Sequence, residues 1–357
     1  MNSTFRIAAG MACLFALTGT FAAESSCEPD GDVCFFCGLK APEDLVAVPD
    51  SDWVLVSGMA DIADPTSHRG ELYAVSARGG AWKALYPLPD ARVRHDRKLY
   101  ADCPGPLPDR HLGAHGLDIR RGQKGVHTLY VVNHSDRESF EVFELDVNST
   151  TPVLTWVGCV IYPEKTSGNG IVALPDGGIA TTNFKDPADA NAFQRMTARE
   201  ITGNVLEWHP GKGWSVIPDS DMSGPNGILV SPDGKSLYVA GWPTKDIVRF
   251  ERGAASPRRE VIQTGILTDN LRWNADGTIL AGGQDGDMPG VFQCPAPKCL
   301  IASAAVRVDP RTLRAERIVT YAGTAGYDGA TTALQVGDEI WMGSFRGERI
   351  ARVPLKQ

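Results

Sequence analysis

Clustered basic charge is missing from this chain. Its 35 lysines and arginines are scattered and outnumbered by 43 aspartates and glutamates, for a formal net charge of −8. Such a balance excludes a surface built to neutralise nucleic-acid phosphates. No apolar run after residue 23 is long enough to span a bilayer. Cys34-Phe-Phe-Cys37 has no second CxxC to match it and no βαβ context, so structural disulfides are favoured over zinc or thiol-redox chemistry. Long amphipathic helical periodicity is missing too, which disfavours an α/β sandwich or barrel. What remains is ordinary globular usage, 43% hydrophobic and 22% charged over 357 residues.

Residues 1–23 read as a secretory signal peptide: one early positive charge, Arg6, an apolar run from Ile7 to Leu17, and small residues up to Ala23 with cleavage near Ala22 or Ala23. The expected organisation is a signal peptide over 1–23 and a single domain over 24–357, exported to the outside or the periplasm. Cys13 leaves with the signal. The seven later cysteines then form disulfides in an oxidising compartment, with at least one left free or intermolecular. Cys294 and Cys299 bracket a short Pro-rich excursion that a disulfide can close.

The organising signal is a repeat. A β-rich run, a turn and a second such run recur six times, from Trp53–Ser57 with Glu71–Val75 to Glu339–Gly343 with Arg349–Val353. Turn signals punctuate them, among them Pro175-Asp-Gly177, Pro232-Asp-Gly234, Ala275-Asp-Gly277 and Val336-Gly-Asp338. Units of about 55 residues suit four-stranded blades, so the expected fold is all-β, a six-bladed β-propeller with a metal site in its central channel. Inserted loops are expected around residues 60–70 and 88–113.

A polar residue opens a short apolar run ahead of each pair: Glu43, His115, Asn169, Asn226, Asp269 and Asp328. Alone, an Asn-Gly or Asp-Asn dipeptide is more often a turn former than a ligand. Phasing with the repeat changes that reading, because strand openings from all blades of a propeller meet at one mouth. Glu43, Asn169, Asn226, Asp269 and Asn270 then place carboxylate and amide oxygens around one small space. That donor set suits Ca²⁺ best, with Mg²⁺ or Mn²⁺ as alternatives.

The signatures Pro42-Glu-Asp-Leu45, Ala114-His-Gly-Leu-Asp118, Tyr130-Val-Val-Asn-His134, Gly168-Asn-Gly-Ile-Val172, Pro225-Asn-Gly-Ile228 with Ser231-Pro-Asp-Gly234, and Thr268-Asp-Asn-Leu271 resemble the serum paraoxonase/arylesterase family. They are also similar to the wider superfamily of gluconolactonase, senescence-marker-protein and strictosidine-synthase-like propellers. The resemblance implies a six-bladed propeller that hydrolyses lactones and aryl esters, with a catalytic calcium held by the positions corresponding to Glu43, Asn169, Asn226, Asp269 and Asn270. It matches His115 to a histidine that activates water and His134 to its partner. Asp44 and the backbone near Leu117 match part of a second, structural calcium site. Gly170 departs from the pattern, standing where the family has an acidic residue that this second ion needs.

The implied chemistry is physically coherent. A cation at a carbonyl oxygen stabilises developing negative charge, and an imidazole deprotonates the attacking water. The expected ligand is a small-molecule lactone or ester. Alternatives on the same frame are a sugar-lactone (gluconolactonase-like) hydrolase, a strictosidine-synthase-like lyase or synthase, and a non-catalytic binding propeller clamped by calcium. Trp242, Tyr327 and Phe345 fall where a substrate wall would stand, although aromatic residues in β runs are more often core. His111 and Phe184 are further candidates for the mouth. The other histidines, His68, His95, His127 and His209, read as solvent-facing.

Overall fold

Every expected pair of runs forms the two middle strands of a four-stranded antiparallel sheet, and six such sheets ring a central channel. The structure, a computed structural model, describes residues 27–59, 70–80, 82–294 and 299–355. The signal-peptide reading, Cys13, His68 and most of the first expected insertion lie outside these residues.

From the channel outward, blade 1 consists of Pro42–Ala47, Trp53–Gly58, Glu71–Ser76 and Trp82–Tyr86. The innermost strands of blades 2 to 6 are Ala114–Gln123, Ser167–Ala173, Pro225–Val230, Leu267–Trp273 and Tyr327–Val336. A fifth strand, Arg92–Val93, pairs in parallel on the outside of blade 2. Blade 6 is closed from the other end of the chain: Cys34–Cys37 pairs antiparallel with Arg349–Pro354, Cys34 opposite Arg352. The CxxC segment is therefore the strand that seals the ring.

The middle strands are nearly buried throughout, as in Trp53–Gly58, because a blade packed between two others has neither face in water. Between blades 6 and 1, Phe36, Leu45, Tyr73 and the fully buried Trp341 form one apolar cluster. Each such side chain contributes roughly 1.5–3 kcal/mol by leaving water. Gly177 and Gly234 adopt left-handed backbone in the Pro-Asp-Gly hairpins, a conformation that any Cβ would strain.

Two expectations are corrected. None of the described cysteines is free: Cys27 pairs with Cys37, Cys103 with Cys159 and Cys294 with Cys299, and Cys34 is disulfide-bonded as well. Insertions also occur where none was expected, in blades 3 and 5, where two short helices, Ala192–Thr197 and Met288–Phe292, lie beyond the second strands. Each is too short for its periodicity to stand out from sequence. Among the described residues no helix is long and apolar enough to cross a membrane.

Candidate active site at the channel mouth

The polar residues that open the innermost strands are not turn residues. Five of the six lie at a break in strand register: between Pro42 and Asp44, Ala114 and Leu117, Gly168 and Ile171, Pro225 and Ile228, and Thr268 and Leu271; Asp328 pairs in register with Arg346, and the break in its strand comes later, between Ala330 and Ala333. Such bulges re-aim side chains out of the regular pleat. The glycine that follows three of them meets the next blade. A Cβ at Gly116 would sit 2.2 Å from Asn169 O, one at Gly170 2.7 Å from Asn226 O, and one at Gly227 2.5 Å from Asp269 O. Asn-Gly and His-Gly are thus the signature of inner strands in close approach.

Glu43, Asn169, Asn226, Asp269 and Asn270 are all buried at this mouth. Asn270 Nδ2 donates to Glu43 Oε1 over 2.7 Å. Gln284 Nε2 donates to Asp269 Oδ2 over 3.1 Å, and the Asn226 amide donates to Asp269 as well. Three oxygens beside these bonds, Glu43 Oε2, Asn169 Oδ1 and Asn226 Oδ1, are buried with no hydrogen-bond partner. Buried polar atoms are nearly always paired, with protein, ordered water or a ligand, so three unpaired oxygens in one cluster mark a place for a polar or cationic partner. No group of three or more His, Cys, Asp or Glu side chains is gathered for a metal among the described residues. The donor set is instead two carboxylates with amide oxygens, the composition that hard cations accept.

Electrostatics agree with an unmet demand for positive charge. Burial, then the charges of Asp44 and Asp269, hold the Glu43 carboxyl well above its usual range. Burial is also the largest influence on Asp269, raised to about 7 against the opposing hydrogen bond from Gln284. Asp328, the sixth strand opener, is already neutralised by Arg346 and accepts Ile301 N over 2.8 Å.

His115 opens toward the same space, its Nε2 3.7 Å from Glu43 Oε1 and 3.5 Å from Asn169 Nδ2. Its Nδ1 lies 2.9 Å from His134 Nε2, as expected for a pair. A residue not foreseen completes the line: Glu138 places both carboxylate oxygens at 2.9 and 3.0 Å from His134 Nδ1. A carboxylate only accepts, so His134 Nδ1 carries the hydrogen, His134 Nε2 accepts from His115 Nδ1, and the lone pair of His115 Nε2 faces the channel. Burial, then His134, lowers the His115 pKa to about 3, which keeps it neutral.

The second strands end at this same mouth, which also places Gln284 there, and Trp242 just past the end of its strand. Trp242 Nε1 donates to Gln284 Oε1 over 2.7 Å. Counting forward along those strands would have found both residues. Trp242 packs into a wall with Phe184, Phe193 and Phe292 in tilted and edge-to-face contacts, their neighbouring ring centres 5.0–6.2 Å apart. Phe345 packs against the same cluster, whereas Tyr327 is buried in the core. His111 is partly buried, as are His95, whose ring lies 5.2 Å from that of Trp156, and His209, bonded to Asp176. His127 corrects the solvent-facing expectation most clearly: it is 2% exposed and accepts Gly122 N over 3.1 Å.

A six-bladed propeller with polar oxygens converging at its mouth is the class these observations define. A family model described as the SMP-30/gluconolactonase/LRE-like region matches residues 119–286, from the innermost strand of blade 2 into blade 5. No curated protein sequence matches the chain. Among solved structures, a luciferin-regenerating enzyme is similar with a TM-score of 0.54 at 11% identity, over 88% of this chain and 92% of that one. Virginiamycin B lyase from Staphylococcus aureus gives 0.50 at 12% identity, over 91% and 99%. At these identities the likeness is one of fold.

Proposed function

We propose that this protein is an exported, calcium-dependent hydrolase of lactones or aryl esters. The observation that carries the reading is the trio of orphaned oxygens, Glu43 Oε2, Asn169 Oδ1 and Asn226 Oδ1, beside the channel-facing lone pair of His115 Nε2, whose contact with Asn169 Nδ2 is long at 3.5 Å. Glu43, Asn169, Asn226, Asp269 and Asn270 would hold the ion. When bound, calcium supplies Lewis-acid polarisation of a carbonyl oxygen. His115 Nε2 accepts the proton of the attacking water, and its own Nδ1 hydrogen shifts toward His134. Positive charge thereby comes to rest beside the Glu138 carboxylate, which offsets the weak basicity of a buried imidazole. His115 then returns its proton to the departing alkoxide. The three disulfides support the exported part of the proposal, since such bonds persist in oxidising compartments.

Substrate choice divides two readings that fit about equally. The matched family description favours a sugar lactone. The wall of Phe184, Phe193, Trp242 and Phe292 favours an apolar or aromatic ester group. The test is hydrolysis of aliphatic γ- and δ-lactones, aldonolactones and phenyl acetate by the purified protein, with EDTA, with calcium restored, and in Asp269→Ala. Turnover abolished by EDTA and by Asp269→Ala, and restored to the wild type by calcium, is expected. Absence of turnover by folded, calcium-loaded protein would overturn the hydrolase reading.

A further inference from the structure

One residue below the mouth, the channel has the opposite character. Asp44, whose position matches a ligand of a second ion in the resembled family, has no oxygen to spare. Its Oδ1 accepts Leu45 N over 2.9 Å and Thr332 Oγ1 over 2.8 Å, and its Oδ2 accepts Leu117 N over 2.8 Å. Arg272 Nη2 donates to both oxygens, each over 2.6 Å. The rest of the guanidinium is equally committed: Nε to Leu45 O over 2.6 Å, Nη1 to Leu271 O over 2.7 Å, and Nη2 to Leu117 O over 3.2 Å. The arginine reaches from blade 5 to blades 1 and 2 and is 8% exposed, with Asp44 at 1%. Nor is there room for another acid. The acidic side chain missing at Gly170 would put its Cβ 2.7 Å from Asn226 O and 2.9 Å from Gly227 Cα.

We propose that the Arg272 guanidinium is a built-in cation occupying the place of a second metal ion, so that this channel takes one divalent cation, at its mouth, and not two. A fixed positive charge with directed donors does what a structural ion would do. It neutralises Asp44 and gathers backbone carbonyls from three blades, with no dependence on external calcium. The count of one rests on the proposed mouth site; the exclusion of an ion at Asp44 does not. Removing the guanidinium leaves a cavity lined by the Asp44 carboxylate, Thr332 Oγ1 and the carbonyls of Leu45, Leu117 and Leu271, all oxygen donors. That cavity is a latent calcium site.

Calcium bound per chain, by equilibrium dialysis and elemental analysis of the purified full-length protein, tests this. Wild type is expected to bind one, Asp269→Ala none, Arg272→Ala two, and the double variant one. Two ions in wild type, or one retained in Asp269→Ala, would overturn the proposal, and these two measurements stand even if Arg272→Ala fails to fold. Arg272→Lys keeps the charge and is expected to bind one ion; two in that variant also counts against it. No ion in wild type with one in Arg272→Ala overturns the mouth site of the proposed function while upholding the role of Arg272.

Discussion

His134 Nε2 stands 2.9 Å from His115 Nδ1, and that contact decides which nitrogen of His115 faces the channel. Glu138, four positions on, sets the contact by holding the hydrogen of His134 Nδ1. The arrangement makes His115 the candidate base and Glu138 a positioning residue. His115→Gln is expected to lower kcat by about 10²–10⁴-fold. Glu138→Ala should lower kcat by about tenfold with KM unchanged and should alter the acid limb of the pH profile, whereas Glu138→Asp should recover much of the rate. Unchanged kcat in His115→Gln would remove the base assignment.

Close approach at the mouth makes a prediction about glycine. A Cβ at Gly227 meets Asp269 O at 2.5 Å, with Asn270 Cα 2.7 Å away. Gly227→Ala is expected to cost about 1–3 kcal/mol and to weaken calcium binding by displacing Asp269. Gly286, with nothing within 4 Å of a Cβ and no positive φ, is the control. Thermal melts with and without calcium check both, and equal behaviour of the two variants would contradict the packing argument.

The aromatic wall separates the two substrate readings. Phe193 and Phe292 are 42% and 50% exposed yet have ring centres 5.0 Å apart. Phe193→Ala and Phe292→Ala are expected to raise KM several-fold for phenyl acetate and long-chain lactones and to leave aldonolactones unaffected. The measurement is kcat and KM on both classes. A matching rise for aldonolactones would point to a sugar bound against the rings.

Acid stability has a local component at the junction of blades 3 and 4. Burial acts to raise Asp176, but hydrogen bonds from Arg252 and the Gly178 N–H outweigh it, and its pKa falls to about 2. A carboxyl depressed on folding adds stability that is complete above its unfolded value, near 4, and is lost as pH falls from about 4 toward 2. Asp176→Asn should therefore melt below wild type at pH 6 and together with it near pH 2. A difference in Tm that stays constant across that range would show that the ion pair with Arg252 contributes nothing.

Legibility followed the range of the interactions. The middle strands of all six blades and the polar opener of every innermost strand could be read from sequence, because each is a short pattern repeated in phase. The Asn-Gly steps were legible as positions but not as geometry: what they avoid is a neighbouring blade, not a turn. Glu138 sits close in sequence to His134, yet nothing in a lone glutamate after a strand distinguishes a hydrogen-bond acceptor from a solvated side chain. The short helices at the mouth escaped notice because five or six residues carry too little periodicity.

The sequence by itself determined the repeat, the paired strands of each blade and the ring of polar residues at the mouth, since these depend on neighbours a few positions away. Only the tertiary structure decided that Cys34–Cys37 closes blade 6 and that Arg272, 228 positions from Asp44, fills the channel beneath the mouth. Ring closure is the physical reason. It brings the two ends of the chain into one sheet and blades 1 and 5 to one axis, and no local pattern records which charges then face each other.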